Sequence, residues 1–480
     1  MEAPLPKTND VCDFYVDIDG TLLRTDLLYE AAWQYLKFAP WRIVFLLRAA
    51  VRGRAPLKVF LARNARFDPA ILPYEQALLD HLARRHARGD RITLITASHW
   101  TYARHIAKHL ALGGSYGSSS RTNLKGHAKL AKILRLNAGR PFAYAGNSAV
   151  DRPIWAASDR RILVNAPRRD VAAAENAGRA ELVIKSRPPL WRSLLREMRL
   201  HQWAKNALIF VPLLTSHNYG DVYRLTAAIL AFLAFGLCAS GHYFFNDLLD
   251  LDSDRAHATK RNRPLASGDL PLIHGITGAA ILPMAAFALS FLCLPLLFTL
   301  ALAAYFALTN LYSFYLKRIS TADVFILAML YTVRVVAGAA AIGVMLSSWL
   351  LAFSMFMFVS LAYLKRYIEV RSLGERAAKG RGYSGADAES MFSLGIASST
   401  AAIVVLAFYI SSAEVKVLYR EPEILWGLCL LMLYWSNRIW VGARRGKIHD
   451  DPVVFAIKDR VSRYIGIAML AVVLVAHFMP

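Results

Sequence analysis

From Trp203 onward the chain is built of apolar runs about twenty residues long, the length a helix needs to cross the hydrocarbon core of a bilayer. Nine such runs can be marked, roughly over 203–217, 223–248, 271–293, 296–315, 321–344, 348–369, 393–413, 422–441 and 461–479. Basic residues crowd one set of their ends: Arg255–Arg263, Lys317 with Arg318, Lys365 through Arg381, and Arg438 through Lys447. The opposite ends are almost free of Lys and Arg, so the rich ends face the cytosol. This predicts an all-α membrane domain of nine transmembrane helices over 191–480, preceded by a separate domain over 1–190. The first residues lack a basic stretch followed by an apolar core. The leading domain is therefore expected to stay cytosolic, with the whole chain a multi-pass protein of the cell (inner) membrane.

Composition sharpens this. The 57 Lys and Arg outnumber 34 Asp and Glu, for a net charge of +23. In a polytopic chain that excess marks cytoplasmic loops and anionic headgroups, not nucleic acid. Four cysteines without a CxxC pair argue against a disulfide framework or a zinc site.

The densest chemistry lies where the second run ends, in NDLLDLDSDRAHATKRNRPLASG (Asn246–Gly268). Asp247, Asp250 and Asp254 are spaced i, i+3, i+7 and share one helical face. Three carboxylates so placed repel unless a cation sits among them, and hard oxygen ligands of this kind suit Mg²⁺ shared with a phosphate. Asp252 lies off this repeat and is expected to be solvated. Arg255, Lys260, Arg261 and Arg263 follow, placed to grip the remaining oxygens of a polyphosphate.

In the leading domain, strands are predicted at Phe14–Ile18, Arg91–Ser98, through Phe142–Gly146, and at Ile162–Pro167, with helices between them. That alternation predicts a Rossmann-like parallel sheet with chemistry at the carboxyl ends of its strands. The signals DIDGT (17–21), strand-final Thr96, Lys125 and Lys129 opening a helix, and GNSAVD (146–151), in this order, resemble the haloacid dehalogenase superfamily. The resemblance implies that Asp17 is the nucleophile and Asp19 the general acid/base, both near the metal. It implies that Thr96 binds phosphate, that Lys129 or Lys125 neutralises it, and that Asp151 helps hold Mg²⁺. Asn147 stands where the family usually has Asp; its carbonyl can ligate a cation but brings no charge. The helical cap would occupy about 26–72. There Trp33, Phe38, Trp41 and Phe45 interleave with Lys37, Arg42, Arg48, Arg52, Arg54 and Lys58. Such a helical pair suits a membrane surface, or simply packs on the sheet domain.

The NDxxDxxxD segment, in a chain of nine apolar runs, resembles the UbiA superfamily of intramembrane transferases, whose members bind a diphosphate through Mg²⁺ on such aspartates. Asn246 precedes the three that match. The aromatic prenyltransferases of this superfamily carry a second Asp-rich motif after the sixth helix. Here that place reads AYLKRYIE (362–369), with Lys365, Arg366 and a single acid, Glu369. With RLHQWAKN (Lys205, Asn206), YLKR (Lys317), YTVRVVAG (Arg334) and DDPVVFAIKDR (450–460), the pattern resembles the decaprenyl-phosphate phosphoribosyltransferase branch. That resemblance implies transfer of 5-phosphoribose from phosphoribosyl diphosphate to a polyprenyl phosphate. Diphosphate would leave as a ribosyl oxocarbenium ion develops. An Asp–Mg²⁺ site and a Lys/Arg site suit a donor with a diphosphate at one end and a monophosphate at the other.

Ionisable residues inside apolar runs are functional candidates; Arg334 is one, whereas Lys317 equally fits a cytosolic anchor. Asp323 either completes a metal shell or caps the fifth helix. The loop 371–391, with Gly380, Gly382 and Gly385, either closes over the donor or merely connects spans. Asp450, Asp451 and Asp459 are candidates only through the resemblance. The reading is a two-step enzyme in which the leading domain removes the 5-phosphate. The rivals are a UbiA-type prenyltransferase using a prenyl diphosphate and an aromatic acceptor, and a membrane-bound lipid-phosphate phosphatase. The lipid bilayer is a partner in every case, and an oligomer is compatible with each.

Overall fold

A computed structural model describes residues 12–37, 39–373, 382–448 and 451–478. Phe38 and Asp450 lie outside the described residues, as do residues 374–381, Gly380 among them, in the connection after the sixth expected span. The chain forms two compact units. One holds the residues up to Met198 together with Phe244–Gly278; the other holds Arg199–Tyr243 and Ala279–Pro480. The Asp-rich segment thus belongs to the same unit as the N-terminal sheet.

That sheet has six parallel strands in the order β3-β2-β1-β4-β5-β6. They are β1 (Asp13–Val16), β2 (Arg91–His99), β3 (Gly114–Ser118), β4 (Phe142–Gly146), β5 (Arg160–Val164) and β6 (Ala180–Ile184). Four were expected; β3 and β6 are the edge strands, and GSYGS and AELVI are only half-buried, without the apolar run that marks a central strand. β1 pairs with β2 and with β4 in parallel register, Asp13 opposite Arg91 and Phe142. Strand order reverses at β1, and in such sheets the crevice beyond the carboxyl ends there is where ligands bind. Phe14, Val16, Leu94, Ala143 and Ile162 fill one face of the sheet, and Tyr15, Ile95, Tyr144 and Leu163 the other.

Three helices follow the loop after β1: α1 (Leu27–Leu36), α2 (Ile43–Val51) and α3 (Arg54–Asn64). Asp26 caps α1, its carboxylate accepting from the Leu28 N–H at 2.8 Å. α1 and α3 pack on the sheet domain through Leu27, Ala31 and Leu61. α2 meets that core through Leu46, and Ala49 is buried, but its other face is open: Trp41 before it is 68% exposed and Val51 at its end 88%, with Val44, Phe45 and Leu47 also exposed.

The chain holds eight helices long and apolar enough to cross a membrane, among the described residues. They are Val222–Leu249, Leu272–Cys293, Leu296–Phe314, Ala322–Ile342, Ser348–Arg371, Gly385–Ser411, Pro422–Arg444 and Arg460–Phe478. The first expected span, 203–217, is not among them. It is a run of 3-10 turns over Leu200–Phe210 followed by a short α-helix, Val211–Thr215. Pro212, lacking an N–H, sits at the junction, so no continuous α-helix crosses it.

Candidate functional site

Asp17 leaves the carboxyl end of β1, its N–H donating to the Ala145 carbonyl at 3.0 Å. Its Oδ1 lies 2.9 Å from Lys129 Nζ, and the same ammonium is 3.8 Å from Asp151 Oδ1. Lys129 is buried and also donates to the Tyr144 hydroxyl at 3.0 Å, which in turn donates to Asp151 Oδ1 at 2.8 Å. Burial pushes the Asp17 carboxyl up to about 7; Lys129 opposes this, while Asp151 and Asp19 add to it. Asp19 is held apart from this trio. Its Oδ2 accepts from Thr96 at 3.0 Å and Ser98 at 2.7 Å, and its Oδ1 from the Leu27 N–H at 2.9 Å. Asp151 is fixed by the turn that carries it, accepting from the Asn147 and Ser148 N–H groups at 3.2 and 3.1 Å. The Asn147 amide lies so close to Gly20 that a Cβ there would collide with it, and Gly20 has φ +73°. Lys125 is exposed, so Lys129 is the lysine of this site.

Two contributors escaped the sequence reading. Lys58, from α3, donates to the Ala97 carbonyl at 2.5 Å, and burial lowers its pKa against the opposing pull of Asp19 and Asp26. Tyr144 lies inside β4, where a strand interior gives no sign of a polar role.

The Asp-rich segment joins α4 (Val222–Leu249) to α5 (Leu251–Ala256). The ladder passes the joint, Asp250 N–H donating to Asn246 O and Asp254 N–H to Asp250 O. Asp247 and Asp254 are buried and bracket one nitrogen of Arg263, at 3.0 and 2.6 Å. Burial pushes the Asp254 carboxyl up while Arg263 pulls it down. A cation thus already sits between two hard oxygen ligands, a donor set suited to Mg²⁺. Asp250 is exposed, and among the described residues no three Asp, Glu, His or Cys side chains gather closely enough to share a metal ion. Two aspartates, rather than the expected three, are drawn together. Asn246 is half-buried, and Lys260 and Arg261 are exposed.

Two expectations change. Arg255 is not free to meet a phosphate: both its terminal nitrogens bind the Glu30 carboxylate, at 3.2 and 2.5 Å. Asp252 is not merely solvated, since Gln34 donates to it at 2.8 and 3.0 Å and Lys37 at 3.2 Å. All three partners lie on or beside the cap helix α1.

In the second unit, α6 (Ala322–Ile342) and α7 (Ser348–Leu373) carry the expected cations. Lys205 and Lys365 both donate to a single oxygen, Asp451 Oδ2, at 2.9 and 3.0 Å. Burial works against the Asp451 charge, but the two ammonium groups outweigh it and hold the carboxyl well below the usual range. Arg334 donates to Asn206 Oδ1 at 2.9 Å and to the Tyr305 hydroxyl at 3.2 Å, and stacks over both Tyr305 and Tyr331. Lys205 lies over Tyr331 as well. Lys205, Asn206, Arg334 and Lys365 are thus one cluster.

Arg366 is not in it. It pairs with Asp323 at 2.5 Å and Glu369 at 2.6 Å, and donates to the Tyr312 hydroxyl at 2.7 Å. Its charge is spent inside the fold, so it offers none to a substrate, and Glu369 serves it. Asp323 neither completes a metal shell nor caps its helix; it is buried against Arg366 and the Tyr383 hydroxyl. Lys317 is half-buried in a 3-10 turn away from the cluster's hydrogen bonds. His242 is buried in helix packing, its Nε2 3.0 Å from Ser313 Oγ. A cavity of about 340 Å³ opens in this unit, lined by Leu208, Val335, Phe353, Met357, Met432 and Met469.

Residues 208–382 match the UbiA prenyltransferase family and residues 14–155 the haloacid dehalogenase-like hydrolases. An uncharacterized protein of Sinorhizobium fredii, y4nM, is 37% identical over 458 residues, covering 94% of this chain and 88% of that protein. The nodulation protein NoeC of Azorhizobium caulinodans is 34% identical over 264 residues, 54% of this chain and 85% of that one. A decaprenyl-phosphate phosphoribosyltransferase of Mycolicibacterium smegmatis is 28% identical over 302 residues, 60% of this chain and 93% of that one.

Proposed function

Since the chain belongs to the UbiA prenyltransferase family and carries a haloacid dehalogenase-like domain ahead of that part, we propose that it moves 5-phosphoribose from phosphoribosyl diphosphate to a polyprenyl phosphate and then removes the 5-phosphate. The observation that carries the donor is the convergence of Lys205 and Lys365 on one carboxylate oxygen. Two ammonium groups so aimed suit the oxygen of a terminal phosphate, with Asp451 holding the place. A prenyl diphosphate, whose far end is hydrocarbon, gives that pair nothing to bind. The similarity to a decaprenyl-phosphate phosphoribosyltransferase supports the same choice.

Asp247 and Asp254 are the residues that would hold Mg²⁺, with Asp250 exposed beside them, and the ion when bound would neutralise the diphosphate. Lys260 and Arg261 remain exposed for its outer oxygens. Arg334 faces the electron-rich rings of Tyr305 and Tyr331 and orients Asn206. The bond from ribose C1 to the diphosphate oxygen breaks, its electron pair leaving with diphosphate, and an oxygen of the lipid phosphate takes its place on C1. The apolar cavity beside Leu208 and Met357 suits a polyprenyl chain.

In the hydrolase domain, Asp17 attacks phosphorus and Asp19 protonates the departing ribose C5 oxygen. Lys129 carries charge on the phosphoryl oxygens, and Asp151 would share Mg²⁺ with Asp17. Water then releases phosphate from Asp17. The membrane part is read as spanning the cell membrane with its basic ends, and the hydrolase domain, in the cytosol.

The test uses purified protein with Mg²⁺, polyprenyl phosphate and phosphoribosyl diphosphate labelled in the ribose. Label should enter the lipid phase with wild type and not with Asp247→Asn, and the lipid product should keep its 5-phosphate only in Asp17→Asn. Lipid that stays unlabelled under all conditions would overturn the reading.

A further inference from the structure

The face of the Asp-rich segment beside its carboxylates is gripped by the hydrolase cap. Asp247, Asp250 and Asp254 make one helical stripe. Leu248, Asp252 and Arg255 make a second, centred roughly a third of a turn away. Each member of the second stripe is held by α1 or the residue after it. Trp33 Nε1 donates to the Leu248 carbonyl at 2.8 Å, satisfying one of the acceptors a helix leaves open in its last turn. Gln34 and Lys37 hold Asp252. Glu30, three residues before Trp33, takes both nitrogens of Arg255, and the pair is buried, 1% and 4% exposed. Arg255 in turn donates through Nε to the Ala266 carbonyl at 3.3 Å, so the basic loop is tied to the same anchor.

The far end of that loop is pinned as well. Arg24, four residues past Gly20 of the hydrolase loop, binds Asp269 at 2.6 Å. Gly268 runs against it with φ +76°, where a Cβ would come within 2.6 Å of Arg24 Cβ and 2.7 Å of its carbonyl oxygen. Five polar contacts and the close approach of Arg24 to Gly268 therefore fix a short segment from outside, and none of them uses Asp247, Asp250 or Asp254. A scaffold needing only to attach the hydrolase domain has no reason to grip this segment on the stripe beside its ligands.

We infer that α1 of the hydrolase cap is a positioning element of the metal–diphosphate site: Glu30 and Trp33 hold the Asp-rich segment in its binding geometry. This rests on the reading of Asp247 and Asp254 as the metal ligands. Residues that orient ligands without touching the metal commonly set its affinity by about 10- to 100-fold.

The experiment is Mn²⁺ binding, followed by electron paramagnetic resonance, to the full chain with inorganic pyrophosphate as probe. The Asp247→Asn chain supplies the background from any other site. Trp33→Phe removes one hydrogen bond and keeps the ring; Glu30→Gln removes the charge that holds Arg255. Both variants should weaken the Asp247-dependent binding by about tenfold or more. The milder Trp33→Phe carries the test if Glu30→Gln fails to fold. Wild-type affinity in Trp33→Phe and in any folded Glu30→Gln chain overturns the positioning role. A wild type with no Asp247-dependent Mn²⁺ signal instead overturns the reading of the aspartates themselves.

Discussion

Glu30 and Arg255 form a two-pronged ion pair that is almost wholly out of water, with Glu30 in the hydrolase cap and Arg255 directly after the Asp-rich motif. A pair so buried is costly to break from one side, because the surviving charge has no partner and no water. Arg255→Ala should therefore destabilise the unit by about 3–5 kcal/mol. Thermal melting of the full chain should drop clearly in Arg255→Ala and less in a Glu30→Met, Arg255→Met double variant, which leaves no charge stranded. Equal losses in the two would show that packing, not charge, is what matters there.

Lys129 lies between Asp17 and Asp151 and holds down the charge the three share. Lys129→Met should remove phosphatase turnover by about 10²-fold or more, with lipid labelling by phosphoribosyl diphosphate retained. Loss of both steps together would mean the two activities are not separable. The readout is release of inorganic phosphate beside lipid-phase label on the same preparation.

Lys365 shares the Asp451 oxygen with Lys205. On the proposed reading Lys365 meets the donor's terminal phosphate, so Lys365→Met should raise the KM for phosphoribosyl diphosphate about tenfold or more. Affinity for inorganic pyrophosphate, which lacks the terminal phosphate, should hardly change. Steady-state labelling and pyrophosphate inhibition measure the two separately.

Acid should loosen the outer sheet at one identifiable place. Burial pushes the Glu181 carboxyl up, but His81 and Arg85, at 3.1 and 2.5 Å, more than reverse this and hold it below its ordinary value. A carboxyl depressed in the folded state adds stability above its unfolded pKa, about 4.3. That stability is lost as pH falls below that value toward the folded pKa. Arg85→Gln, by raising the folded pKa toward the unfolded value, should shrink this acid-dependent loss, and hydrogen exchange across β5 and β6 would register it.

The apolar face of α2, with Trp41, Val44, Phe45 and Val51 exposed among Arg42, Arg48, Arg52 and Arg54, suits an anionic bilayer surface. Val44→Asp with Phe45→Asp should slow phosphate release from a lipid-borne substrate. Hydrolysis of a water-soluble phosphomonoester should stay as it was. A matched fall in both rates would point to damage in the cap itself.

Much of this was legible in the chain. Asp17 directly follows β1, Thr96 lies near the end of β2, and Asp151 ends the turn after β4, so residue type and position point to the carboxyl edge of the sheet together. Asp247 and Asp254 share a helical face, and periodicity finds such pairs. What spacing could not reveal is which cations were already spoken for. Arg255 is claimed by Glu30 and Arg366 by Asp323, partners distant in sequence and supplied only by folding. Lys58 was hidden for the opposite reason: in a basic cap helix it reads as one charge among many until α3 brings it to Ala97. Hydropathy likewise marked 203–217 as a span, whereas Pro212 and the polar Lys205 and Asn206 turn it into 3-10 structure with a short helical end.

The most direct test of the central claim offers both donor classes at once. Phosphoribosyl diphosphate, a prenyl diphosphate, polyprenyl phosphate and an aromatic acceptor would be given together to the full chain with Mg²⁺, and the lipid fraction analysed by mass spectrometry. The account predicts polyprenyl phosphate heavier by a ribose, or by a ribose phosphate in Asp17→Asn. A prenylated aromatic product, with polyprenyl phosphate unchanged in mass, would contradict it.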